Sequence, residues 1–213
     1  MKMLELPKNK KSIQSHWDVK IAKERSKILD TDEAKILKAM ICGFLAGDGS
    51  VQVRKEKSFY HYQLDFFPDD KLMMKKYIGA IKKVYGKIPS IRVRDNVFHV
   101  RKTSKTVVTD LIKLANFETS SWTIPHSLLI SQKVKAAWLN AFFSAEAYVN
   151  QRSIKVQTIN KNGMIEVSNL LNDFQIKHKT YEYQPKKENH SRVYIIFINP
   201  KSEREKYYKK IGF

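Results

Sequence analysis

Two spacings of apolar residues alternate along the chain. From Thr31 to Gly49, "TDEAKILKAMICGFLAGDG" carries apolar residues three and four apart and predicts a helix. Thr31 or Asp32 is its expected N-cap, and acidic residues follow in the first turn. After Gly49 the spacing drops to two. "VQVR" (51–54) and "FYHYQLDFF" (59–67) predict strands, with Tyr60, Tyr62, Leu64 and Phe66 on one face and His61, Gln63 and Asp65 on the other. "DDKLMMKKYIGAIKKVYG" (69–86) returns to helical spacing and stops at Gly86. "IRVRDNVFHVRK" (91–102) predicts a hairpin turning at Asp95 and Asn96. Its faces divide into Ile91, Val93, Phe98 and Val100 against Arg92, Arg94, His99 and Arg101. "SKTVVTDLIKLANF" (104–117) predicts a third helix.

The order then repeats. Pro125 and a short apolar segment lead into "SQKVKAAWLN" (131–140), which runs on through "AFFSAEA". "YVNQRSIKVQTI" (148–159) supplies strands and "NGMIEVSNLLNDF" (162–174) a helix. "KTYEY" (179–183) and "RVYIIFIN" (192–199) are strands, and Pro200 opens a last helix over 200–212. Each half reads helix–strand–strand–helix–strand–strand–helix. The expected division is a basic arm over 1–30 and two halves over 31–120 and 121–213.

The repeat is visible residue by residue. "ICGFLAGDG" (41–49) aligns without a gap on "LNAFFSAEA" (139–147), so Asp48 meets Glu146 at an offset of 146 − 48 = 98 residues. Small residues recur four apart in both copies: Gly43 with Gly47, and Ala141 with Ala145. Residues at that spacing share a helix face. Glycine within a helix costs up to about 1 kcal/mol relative to alanine, so a close helix–helix approach is the expected compensation. Two helices packed along that face would bring Asp48 and Glu146 together at one end.

Charge narrows the class of partner. The 213 residues carry 40 Lys+Arg against 21 Asp+Glu, a formal net charge of +19. Such self-repulsion makes functional sense beside a polyanion. No apolar run is long enough to span or anchor in a membrane. Cys42, the only cysteine, excludes an intrachain disulfide and falls inside the apolar run as a packing residue. An intracellular protein, cytoplasmic or organellar, is expected. The polar faces of the predicted strands carry Gln52, Arg54, Gln63, Arg92, Arg94, His99 and Arg101 in the first half. Lys155, Gln157 and Lys179 follow in the second. Cations suit phosphates, long polar side chains suit base edges, and β-ribbons can enter the major groove.

These residues resemble the LAGLIDADG homing endonucleases. "ICGFLAGDG" matches the signature helix, "AAWLNAFFSAEAYV" matches the second copy of single-chain members, and "IPHSLL" is a usual lead-in. The resemblance covers roughly 33–211. It implies an α+β fold, a pseudo-twofold duplicated αββαββα with paired motif helices at the centre. Two curved antiparallel sheets form a saddle for double-stranded DNA. It also implies that Asp48 and Glu146 bind divalent metal, magnesium or manganese, at the scissile phosphates. Carboxylates are the hard oxygen ligands that Mg²⁺ prefers, and a bound cation neutralises charge developing on phosphodiester oxygens.

Members also use polar and basic residues to order water near the metals. Lys102, Lys201 and Asn160 (or Lys161) are the candidates here, while Phe67 and Pro68 offer no equivalent in the first half. Ala141 and Ala147 stand where glycine is usual. If the exit at 147 requires φ > 0, alanine strains it by roughly 1–2 kcal/mol. The function implied is a free-standing, monomeric, sequence-specific endonuclease that makes a double-strand break at a long asymmetric site in intron homing. The alternatives are a splicing helper that binds intron RNA and a DNA-binding protein that has lost catalysis.

Overall fold

A computed structural model describes residues 18–94, 97–186 and 190–212. Helix α1 is described over 18–25. The first lobe follows as α2 (Asp32–Asp48), β1 (Gly49–Glu56), β2 (Phe59–Phe66), α3 (Lys71–Tyr85), β3 (Ser90–Arg94), β4 (Val97–Thr103) and α4 (Lys105–Leu111). The second is α5 (Gln132–Glu146), β5 (Tyr148–Val149), β6 (Ile154–Thr158), α6 (Lys161–Asp173), β7 (Lys179–Tyr183), β8 (Val193–Ile198) and α7 (Lys201–Lys210). Each lobe builds one four-stranded sheet, ordered β1-β2-β4-β3 and β5-β6-β8-β7, with every pairing antiparallel. The α+β class and the repeated element order are therefore as expected. The turn at Asp95 and Asn96 and most of the basic arm lie outside the described residues.

Local chemistry sets the boundaries. Thr31 caps α2 by accepting from the Ala34 amide, and Ser131 caps α5 in the same way from Val134. Asp70 caps α3 by accepting from Leu72 and Met73, and Gly86 ends that helix at φ 61, a conformation glycine adopts without a Cβ penalty. Two elements are shorter than expected. Helix α4 stops at Leu111 rather than near 117. The chain turns there through Leu114 and Ala115 amides donating to the Leu111 carbonyl, and this brings Ala115 and Phe117 into the core. Strand β5 is two residues long because the Asn150 carboxamide accepts from the Arg152 and Ser153 amides and folds the chain into a turn.

The core repeats with the elements. In the first lobe Phe44, Phe66 and Tyr77 pack as one aromatic cluster, with ring centroids 4.5 to 6.1 Å apart. In the second, Phe142 stacks on Trp138 at 5.0 Å, and Phe143 meets Tyr207 at 5.1 Å. Phe44 and Phe142 are the aligned residues of the two signature stretches, and both are fully buried. The N-terminal helix is tied to the first lobe through Glu24, which pairs with Lys87 at 3.0 Å and accepts from Thr106.

Candidate active site and nucleic-acid face

The small residues of α2 face α5. A Cβ on Gly43 would fall on the Trp138 carbonyl oxygen and 2.9 Å from Ala141 Cβ. One on Gly47 would lie 2.6 Å from Ala145 Cβ and 3.2 Å from Glu146 Cγ. Contacts thus advance from Trp138–Phe142 to Phe142–Glu146 as α2 advances by one turn. The helices run parallel, backbone against backbone, and both end on a carboxylate at the same end of the seam. Trp138, Ala141 and Phe142 are buried along it.

Half-burial governs the two acids. The Asp48 carboxyl is pushed up to about 6, mainly by burial and further by the charge of Asp69. Glu146 is pushed up to about 7, again mainly by burial and then by Asp48. The two carboxyls titrate as a pair, the charge of one raising the proton affinity of the other. Among the described residues no cation and no hydrogen-bond donor enters either shift. Two half-buried like charges without a counter-ion are costly, and a divalent cation would relieve both. Among the described residues no three acidic, histidine or cysteine side chains converge as a ready-made cage. The donor set therefore fits a hard ion that keeps waters and takes its remaining oxygens from a phosphate.

The exits of the two helices answer the question raised by Ala147. Gly49 has φ −114 and Ala147 φ −86, both extended, so alanine carries no left-handed strain at 147. The Ala147 amide donates to the Phe143 carbonyl at 2.9 Å. Gly49 is needed for another reason: a Cβ there would collide with Leu45.

None of the assisting residues named above figures among the groups that shift Asp48 or Glu146. Lys102 pairs in register with buried Leu64, on the face of the sheet turned to the core, and its ammonium donates to the Ile88 carbonyl at 3.1 Å. Asn160 is buried and spends both polar ends structurally. Its oxygen caps α6 at Gly163, and its nitrogen donates to the Trp122 carbonyl. Lys201 opens α7 as an exposed side chain, 3.8 Å from Glu205. Lys161 leans over the Tyr194 ring.

The polar sheet face of the first lobe is as the alternation predicts. Register places Gln52 opposite Gln63, Arg54 opposite His61, Arg92 opposite His99, and Ser50, Asp65 and Arg101 in one row. Directly opposed residues share a face, so these side chains stand together. The side chain of Arg94 lies outside the described residues. The second lobe differs. Lys155, Gln157 and Lys179 share their face with Ile195, Phe197 and Tyr181, which register sets opposite them. The unbroken apolar run of β8 hides this from period-two reading: Ile196 and Ile198 point to the core, Ile195 and Phe197 away from it.

Three residues received no role from the sequence. Asp69 raises Asp48 electrostatically. Phe67 donates its amide to the Asp48 carbonyl at 3.0 Å and stacks on His99 with centroids 4.7 Å apart. Asp65, 3% exposed, accepts hydrogen bonds from Gln63, His99 and Arg101. The available signal was a carboxylate that alternation puts on the polar face of its strand, in a sheet whose polar face also carries His99 and Arg101.

Residues 133–212 match the family model of the LAGLIDADG-like domain. No curated protein matches by sequence. Among solved structures, mesophilic variants of the homing endonuclease I-DmoI superpose with a TM-score of 0.69 at 17% identity, covering 84% of this chain and 97% of that one. I-DmoI in complex with DNA and Mn gives 0.68 at 18%, covering 84% and 97%. The N-terminal LAGLIDADG domain of DUF199/WhiA gives 0.60 at 11%, covering 91% and 89%. The chain thus carries a LAGLIDADG-like domain over its second motif, within a two-lobed fold shared with the single-chain homing endonuclease I-DmoI.

Proposed function

We propose that this protein is a divalent-metal-dependent, sequence-specific DNA endonuclease that makes a double-strand break at a long asymmetric site, as intron homing requires. One observation carries the reading: two half-buried carboxylates, raised to about 6 and about 7, sit side by side on parallel helices with no counter-ion among the described residues. A pure binding protein gains nothing from that arrangement, which would repel a phosphate backbone until a cation fills it. Asp48 and Glu146 would hold magnesium or manganese, which supplies charge neutralisation at the phosphate and a more acidic water. I-DmoI has been crystallised with DNA together with Mn or Ca, which agrees with this cofactor class.

The sheet faces supply the grip on the duplex. Gln52, Arg54, Gln63, Arg92, His99 and Arg101 in the first lobe, and Lys155, Gln157 and Lys179 in the second, are the proposed DNA contacts. The lobes present different chemistry within one chain, polar in one and partly apolar in the other, so the site they read is asymmetric. Parallel seam helices place one acid from each lobe, which suits one cut in each strand. The extended backbone at Ala147 accommodates alanine, so this departure from the usual glycine does not weigh against catalysis in the second motif.

The test is selection of cut sites from a random duplex library in Mg²⁺ or Mn²⁺, with cut ends sequenced. Defined double-strand cuts, lost in both Asp48→Asn and Glu146→Gln, are the expected result. Specific binding without cutting in either metal would reject the nuclease reading.

A further inference from the structure

Asp65 is the most constrained polar residue on the sheet face. Both of its oxygens are committed. Oδ1 accepts from Arg101 Nε and His99 Nε2, each at 2.7 Å, and Oδ2 accepts from Gln63 Nε2 and, at 3.4 Å, from Arg101 Nη2. An ionised carboxylate offers about four acceptor directions, and here all are used. Burial pushes its pKa up, but the bonds from Arg101, His99 and Gln63 outweigh burial and hold the carboxyl below its ordinary range. A saturated, buried carboxylate has nothing left for a metal or a base, so its effect falls on the three side chains it holds.

That effect is directional. An ionised carboxylate only accepts, so the Gln63 amide must turn its nitrogen inward and its oxygen outward. His99 must carry its proton on Nε2. Arg101 has five N–H donors and gives Nε and one Nη2 hydrogen to Asp65, which leaves both Nη1 hydrogens and one on Nη2 for a partner. The Arg101 backbone is pinned as well, its carbonyl accepting from Ser90 Oγ at 3.1 Å. The face therefore presents a forked donor beside an amide acceptor, with rotamers set before anything binds. In the major groove, guanine offers two acceptors, O6 and N7, and its paired cytosine offers one donor, N4.

We infer that Asp65 is a positioning residue that presets Arg101 and Gln63 as a donor–acceptor module specifying a G·C pair in the target. This rests on the sheet face being the DNA contact. The test is the base preference selected from a random duplex library in EDTA, where no strand is cut. The wild-type protein is expected to select a G·C pair at one position. Asp65→Asn is expected to lower discrimination there about ten-fold and to leave other positions as they are. The slope of affinity against salt should stay as steep, since no phosphate contact is removed. Arg101→Lys keeps the charge and loses the fork. It is expected to give the same positional loss, and it carries the test should Asp65→Asn fail to fold. An even loss of affinity across all sequences, an unchanged preference in either folded variant, or no selected G·C pair overturns this inference and leaves DNA binding standing. Failure of the wild-type protein to bind any duplex overturns both.

Discussion

At the residue scale, chemistry concentrates in side chains that burial or packing leaves with one task. Asp48 and Glu146 are the clearest. Their isosteric amides remove the charge and keep the shape. Asp48→Asn or Glu146→Gln should lower double-strand cleavage on the order of a hundred-fold or more, with DNA binding changed little. A gel assay for linear product alongside a binding titration checks this, and undiminished cleavage in either variant would remove that residue from the site. Ala147 gives a prediction of the opposite kind. Its extended backbone suits alanine, so Ala147→Gly should not raise activity and should lower stability by about 0.5–1 kcal/mol through the unfolded chain. A gain in cleavage would mean that the helix exit is strained after all. The contrast between Asn160 and Asp48 shows why residue type alone misleads. Asparagine suits water-ordering and helix capping equally, and its bonds with the Gly163 amide and the Trp122 carbonyl decide for capping.

At the element scale, spacing carried most of the fold. Period-two alternation set the faces of β2 and β4 correctly, because one face is buried and a slip by one residue would expose Leu64, Phe66 and Val100. The N-cap of α2 and the Gly86 stop of α3 were equally readable. What spacing could not carry was whatever depends on another element. Helix α4 stops early to turn Ala115 and Phe117 inward, β8 is apolar on both faces, and Lys102 falls on the core side of β4 through its pairing with Leu64. The seam, by contrast, was legible from its small residues, and it makes a paired prediction. Gly43→Ala puts a methyl against the Trp138 carbonyl and should destabilise by about 1–3 kcal/mol. Gly79→Ala, in α3 where a Cβ meets nothing within 4 Å, should instead stabilise by about 1 kcal/mol. Chemical denaturation of both variants checks the contrast. Equal effects would mean that the helices do not meet at Gly43.

At the scale of the whole molecule, the seam couples stability to protons and, on the proposed function, to metal. Asp48 and Glu146 have folded-state pKa values of about 6 and about 7, above the ordinary carboxyl range, so the folded chain binds their protons more tightly than the unfolded chain. Their contribution is fully favourable below about pH 4 and is lost as pH rises through 7. Other carboxylates act in the opposite sense: Glu24, Asp65 and Glu203 are held below their ordinary values and stabilise the fold as they ionise at lower pH. The profile of the wild-type protein therefore mixes both, and the difference between it and the Asp48→Asn/Glu146→Gln double variant isolates the seam. Without metal, the double variant should be the more stable at pH 8, by on the order of 1–2 kcal/mol after allowance for solvent screening, with the gap closing towards pH 4. A metal held at the proposed site would have to displace the same protons. Millimolar Mg²⁺ or Mn²⁺ should raise the melting temperature of the wild-type protein more at pH 8 than at pH 6, and should leave the double variant unmoved. Thermal unfolding across that grid separates a metal-binding seam from one that merely buries two acids. A metal shift that is independent of pH, or that survives in the double variant, would place the cation elsewhere. The site's function would then have to be sought away from the helix ends.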